Sequence, residues 1–381
     1  MLIFYGNAQN LSRDQANNLN TAWSINKLMK SSILAIIVIV IIVIAGIGGY
    51  AYYLSTSSSK PAPPPSKTLK IALILPSEAN DFGWNQDIAS ALSQEQSAYG
   101  YNFTIDQNVG YTSATVEGAF QYYASQGYNI ILAWTVGWQP QVLAVAPNYP
   151  NTWFVSTDLS NFSNPNTGQP EPNVLSDNIN LTWGGYAAGV LAAYISKTGV
   201  IGYQAGYSYP AENQIGYAFM AGARTVNPNI KFVYDFPGTW SDVSAGSVGA
   251  QSLISAGADV LLFRGDGQTL GGEQAAASAG VYAIGDMLDQ SPLNPDHIVA
   301  SNTYNDTAAL TFVLNHFVSG QMSQIADRDN NVPHTSTLTL GPAASTLLTA
   351  QQLQNLNQVI EGLNNGTIVP PFVSTLPPSG S

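Results

Sequence analysis

From Leu69 onward the chain alternates short apolar runs with amphipathic stretches, and that alternation restricts the fold more than any other feature. LKIALILP (69–76) reads as a strand closed by Pro76, followed by helix spacing from Ile88 to Tyr99 and a strand at NFTID (102–106). The pattern then predicts a helix over 115–126 ended by Gly127, a buried strand over 128–136, a short helix over 140–146 and a strand over 152–158. The rhythm resumes with a small-residue helix, GGYAAGVLAAYIS (184–196), a strand over 200–206, a helix over 213–226 and a strand over 231–236. A helix over 244–256, a strand over 258–265, a helix over 272–279 and a strand over 281–286 complete it. Strands alternating with helices give a mainly parallel sheet covered on both faces. Two successive sets of this size predict two similar lobes rather than one enlarged sheet.

Ahead of this region lies an uncharged apolar run, ILAIIVIVIIVIAGIGGYAYYL (33–54). As a helix rising ~1.5 Å per residue it spans roughly 30 Å, the hydrocarbon thickness of a bilayer. Tyr50, Tyr52 and Tyr53 fall at an interfacial position, while Arg13, Lys27 and Lys30 precede the run and the next cation is Lys60. The positive-inside rule therefore predicts residues 1–31 as a cytoplasmic tail or signal n-region, 32–54 as a retained anchor, and the rest outside the cell. The run exceeds an ordinary signal-peptide core of ~7–15 residues, and no A-x-A site follows it. STSSSKPAPPPSK (55–67) is a Ser/Pro leash with a reach of roughly 40 Å at ~3.1 Å per residue.

The formal net charge is −12, and four of the 11 basic residues (Arg13, Lys27, Lys30, Lys60) belong to the anchor and its flanks. So acidic a remainder disfavours nucleic acid or anionic lipid as a partner, and no nucleic acid is expected, since phosphate binding needs clustered Lys and Arg. Charged residues make up 9% of the chain, and Asn, Gln, Ser, Thr and Tyr supply the polarity instead, which suits an acidic exterior. The absence of cysteine excludes disulfides and thiolate metal sites. Asn102, Asn161, Asn180, Asn305 and Asn365 each open an N-x-S/T triplet, which permits glycosylation.

Open α/β sheets bind ligands beyond the carboxyl ends of their strands. Those ends carry Asn80, Phe82, Trp84 and Asn85 in PSEANDFGWN, Trp138 and Gln139 in TVGWQPQ, and Asp158 in STDLSNF. In the second set they carry Tyr207 and Tyr209 in AGYSYP, Trp240 in PGTWSD, Asp266 and Gln268 in RGDGQT, and Asp286 in GDMLDQ. Aromatics mixed with Asn, Gln and Asp, and almost no Lys or Arg, form the lining expected for a neutral, flat, hydrogen-bonding ligand held between rings. A phosphate or carboxylate ligand would call for Arg or a helix N-terminus. Any single one of these aromatics could equally be filling a gap between loops.

Several segments carry a family resemblance: DFGWNQDIASAL (81–92), FQYYASQGYNIILAWTVGWQPQVLAVAPNYPNTWFV (120–155), GGYAAGVLAAYISKTGVIGY (184–203), GYAFMAGARTVNPNIK (216–231), GTWSDV (238–243), LISAGADVLL (253–262) and AGVYAIGDMLDQSPLNPDHIVAS (279–301). Together they resemble the basic membrane protein family of ABC-transporter substrate-binding proteins. The resemblance implies a bilobed type I periplasmic-binding fold, capture of a purine nucleoside or nucleobase between the lobes, and an ABC permease with its ATPase as partners. By position, Trp84 and Asn85 match the family's aromatic-Asn pair, Trp138 falls where Phe is common, and Trp240 matches an aromatic ahead of a helix. Tyr207 and Tyr209 are candidates for the opposite aromatic face. Met287 stands where many members place a ribose-binding Asp, with Asp286 beside it, and Gln141 replaces an Asp of some nucleoside-binding members. Those two departures leave a free base or another neutral ligand open.

The fold implied has three crossings, expected near Asn178, Leu288 and Met322. They give one lobe from 69–178 and 289–322, a second from 179–288 and 323–376, and a frayed tail at 377–381. An extracellular hydrolase is disfavoured: His297, His316 and His334 lie outside the strand-end loops, and no G-x-S-x-G or H-E-x-x-H occurs. No cofactor is expected. A surface sensor on the same fold, or a pilin-like assembly processed near Lys30, is the alternative to transport.

Overall fold

The computed structural model describes residues 69–157, 164, 167–325 and 332–381. The expected anchor and leash, Asp158 and Asn161 lie outside the described residues, among which no helix is long and apolar enough to cross a membrane.

The first lobe is built on β1 (Lys70–Ile74), β2 (Asn102–Asp106), β3 (Ile130–Ala133), β4 (Trp153–Thr157) and β5 (Val174–Asn180), paired in parallel in the order β2-β1-β3-β4-β5. β1 and β3 read as continuous apolar runs because both of their faces are covered. One face carries α1 (Trp84–Tyr99), whose Ile88, Ala91 and Leu92 pack with Leu73, Leu132 and Val155. The other carries α2 (Ser113–Ser125) and α3 (Gln139–Val145) through Val116, Phe120, Val142 and Val145.

The second lobe contains β6 (Val200–Ala205), β7 (Lys231–Asp235), β8 (Val260–Arg264), β9 (Tyr282–Met287) and β10 (Ile298–Tyr304), ordered β10-β9-β8-β6-β7 and again parallel. α4 (Thr182–Ile195) and α5 (Pro210–Val226) cover one face. Their small residues let the two backbones nearly touch: a Cβ on Gly189 would lie 1.9 Å from the Phe219 carbonyl oxygen. α6 (Val243–Ser255) and α7 (Gly267–Ser278) cover the other face. Asp242 caps α6 through the Ser244 and Ala245 N–H groups.

α8 (Asp306–Val318) follows β10 and returns to the first lobe, where Ala309, Leu310, Val313 and Leu314 join the core beneath α1. β11 (Val332–Leu340) belongs to both sheets. Val332–Thr335 pair in parallel with β5, and Ser336–Leu340 pair antiparallel with β10. The Ser336 hydroxyl pins this junction, donating to the Asn180 carbonyl and accepting the Gly184 N–H. α9 (Ala350–Asn364), opened by a Thr349/Gln352 capping box, packs Leu356 and Leu363 on the second lobe.

The wiring departs from expectation at two of the three crossings. Residues 289–304 stay with the second lobe because β10 pairs with β9, so the chain leaves that lobe at Tyr304–Asp306 rather than at Leu288. The last crossing runs through β11 rather than near Met322, which is buried in the first lobe's core. The expected frayed tail is instead tied to the β7 edge: Phe232 N–H donates to the Ser381 carbonyl and Gly380 N–H to the Phe232 carbonyl.

Candidate functional site

The carboxyl ends of both strand sets meet at a cleft of about 400 Å³, counting its open mouth. Pro76, Trp84, Tyr111, Thr135 and Val136 line it from the first lobe, and Glu212, Trp240, Arg264, Asp266 and Met287 from the second. The lobes touch through the start of α1. Trp84 N–H donates to Asp266 Oδ1 at 3.3 Å, and Gln290 Nε2 donates to the Phe82 carbonyl at 3.0 Å. The Trp84 indole packs against the cores of both lobes and donates its Nε1–H to the Trp134 carbonyl. Asp81 holds this turn by accepting the Gly83, Asn85 and Gln86 N–H groups. Phe82 and Met287 both adopt left-handed backbone, at φ 58° and 68°, so local strain collects where the lobes meet.

A buried ion network forms the floor on the second lobe's side. Arg264, at the end of β8, bonds Glu212 Oε2 at 2.8 Å and Asp286 Oδ2 at 2.7 Å. Asp286 Oδ1 also accepts from Asn302 Nδ2 and the Tyr304 hydroxyl. The guanidinium lies 5.8 Å from the Trp84 ring centroid and 5.6 Å from that of Tyr304, close enough for cation–π attraction. Burial pushes both partner carboxyls up while Arg264 pulls them back. Burial, aided by the charge of Asp81, pushes the Asp266 carboxyl up to about 7. Glu273, buried behind the floor on α7, is pushed up to about 8 by burial and the nearby Asp286.

The residues singled out from the sequence distribute unevenly around this cleft. Trp84, Trp240 and Asp266 line it. Tyr207 and Tyr209 stack on each other at 5.5 Å, and both lie beside Trp240, at 5.4 and 6.4 Å. Asp286 serves the network, with its oxygens taken by Arg264, Asn302 and Tyr304. Asn85 is buried and clasps its own loop through Ser77 and the Glu78 carbonyl. Trp138 is 1% exposed in the first lobe's core, edge-on to Phe120, with its Nε1–H on the Gly110 carbonyl. Gln268 is buried and donates to the Arg264 carbonyl. Gln139 opens α3, Asn80 is exposed in its loop, and Phe82 is half-exposed; none of the three lines the cleft. His297 and His316 each bond a nearby backbone carbonyl, as structural histidines do.

Arg264, Glu212, Tyr111, Thr135 and Tyr304 are the cleft and floor residues that sequence reasoning passed over. Arg264 stood in RGDGQT at a strand end, but its partners lie between 22 and 52 residues away and give no local sign.

Two lobes joined by three crossings, with a cleft at the strand ends of both, define a two-lobed solute-binding protein. The chain belongs to the Bmp family, the PnrA-like ABC transporter substrate-binding proteins, whose profile matches residues 68–330. Members of that family bind substrate without catalysis. The chain is 25% identical over 256 residues to the transcriptional activator protein med of Bacillus subtilis (strain 168), covering 67% of this chain and 77% of that one. It is 27% identical over 231 residues to a purine-binding protein of Brucella abortus (strain 2308), covering 60% of this chain and 63% of that one. Its fold matches the solved structure of an ABC transporter solute-binding protein from Conexibacter woesei, with a TM-score of 0.64 at 20% identity over 80% of this chain and 99% of that one.

Proposed function

We propose that this protein captures a purine nucleoside or nucleobase in the inter-lobe cleft and hands it to an ABC importer, while the apolar run at 33–54 tethers it to the outer face of the membrane. The observation that carries the reading is the cleft's lining: aromatic rings from both lobes, Trp84 and Tyr111 from the first and Trp240 from the second, with Thr135, Glu212 and Asp266 among them. Flat rings suit stacking between aromatic faces, and a few convergent polar groups fix orientation. The resemblance to a purine-binding relative points the same way. Ligand between the lobes would favour the closed arrangement and present a composite surface to a permease. Calorimetry and thermal shift with adenine, adenosine, guanosine and inosine test the reading. Binding in the micromolar range or tighter is expected. Absence of both heat and shift with all four would remove the purine assignment and leave the family assignment intact.

The relative described as a transcriptional activator favours, as a second reading, a sensor built on the same fold. Ligand uptake that continues after deletion of this gene would favour the sensor over transport.

A further inference from the structure

The cleft is short of positive charge. Arg264 is the basic side chain on its wall, and Glu212 and Asp286 already take its guanidinium. Asp81 is answered in part by three N–H groups at the start of α1. Asp266 accepts a long hydrogen bond from Trp84 N–H and, among the described residues, forms no ion pair; Arg264, which acts on it from a distance, is paired to Glu212 and Asp286 instead. It sits on the cleft wall beside Trp240, whose ring Tyr207 and Tyr209 buttress, and Tyr111 of the other lobe lines the same space. Aromatic faces carry negative potential and attract cations. The cleft floor already uses that attraction to hold Arg264 against Trp84 and Tyr304.

We propose that the cleft selects a ligand with a delocalised positive charge, a cationic nitrogen heterocycle seated against Trp240 and Tyr111 with its charge answered by Asp266. The inference rests on the cleft being the ligand site and narrows the ligand within it. The groups facing Asp266 are Asp81, Arg264, Asp286 and the Trp84 N–H, with the Tyr111 hydroxyl nearby. In that setting its carboxyl is pushed up to about 7, so near neutrality a proton supplies part of the missing charge. A cationic ligand replaces that proton, whereas a neutral purine does not.

The test uses the purified full-length chain and the isomers N1-methyladenosine, cationic at neutral pH, and N6-methyladenosine, which is neutral. Adenosine and the non-purine cation nicotinamide riboside complete the set. Titration calorimetry at pH 6.5, in buffers of differing ionisation heat, reads affinity and proton release together. At least one cation should bind about tenfold or more tightly than either neutral compound, releasing a fraction of a proton. Asp266→Asn should remove both the preference for the cation and the proton release. Neutral compounds binding as tightly as both cations, or neither cation binding, overturns the inference. Neutral purines binding alone would keep the purine reading and remove this one. Nicotinamide riboside binding while every purine fails would do the reverse.

Discussion

Replacing Arg264 by Met tests whether the buried network holds the second lobe's side of the cleft. Met keeps most of the side-chain volume and removes the charge, leaving Glu212 and Asp286, 2% and 0% exposed, without their cation. Breaking a buried ion pair from one side costs about 3–5 kcal/mol, because the remaining charge stays desolvated. In a domain of this length about 2 °C of Tm is lost per kcal/mol, so the variant should melt roughly 6–10 °C lower near pH 7.5. The loss should depend on pH in a defined direction. Without Arg264 the folded-state pKa values of the two carboxyls, already raised by burial, rise further above their unfolded values. The stability this gives is complete below the unfolded pKa of ~4 and is lost as pH rises through the folded values. The variant should therefore approach the wild type near pH 5 and fall away from it toward pH 8. Adding Glu212→Gln and Asp286→Asn should recover much of the loss at pH 7.5, since no charge is then buried alone. Differential scanning calorimetry of the wild type, the single variant and the triple variant from pH 5 to 8 reads all of this. A Tm within 2 °C of wild type at pH 7.5, or a deficit unchanged with pH, would refute the account of the network.

Other consequences separate site from scaffold. Asp266, with its carboxyl raised to about 7, should make the folded protein lose stability as pH climbs from about 4 to about 7. Asp266→Asn should flatten that slope in a melting series. Trp240→Ala should weaken ligand binding by about 1–2 kcal/mol with the fold retained, read by calorimetry against circular dichroism. Trp138→Ala should do the opposite, costing about 3–5 kcal/mol of stability in urea unfolding with affinity nearly unchanged. Gly184→Ala places a Cβ 1.7 Å from Asn302 Oδ1 beside the Ser336 pin, and should lower Tm and broaden the transition in calorimetry.

The strand–helix alternation was legible wherever a buried strand gave an apolar run, as at Lys70–Ile74, Ile130–Ala133 and Val260–Arg264. It faded where strands are polar. β11, VPHTSTLTL, and the SDNIN end of β5 are mostly polar in sequence, so hydrophobic periodicity did not reveal them. The crossings were misplaced for the same reason. At the cleft, a Trp at a strand end could be read but its direction could not. Trp84 and Trp138 occur in similar settings, yet one spans the lobes and the other fills a core because Phe120 and Gly110 wait for it. Arg264 was hidden by distance in the chain, since a lone Arg after a buried strand gives no sign of Glu212, Asp286 and two aromatic rings converging on it.

β11 gives half its length to each sheet. Neither lobe is therefore a continuous stretch of sequence, and neither could be expressed alone without removing a strand from its partner. The same sharing makes the two lobes a single mechanical body at their base. A rotation that opens the cleft has to be taken up at the three crossings, and in β11 as twist in the few peptide units on either side of Ser336. A stiffer or looser backbone there would change how far the lobes can part, without altering any residue that lines the cleft.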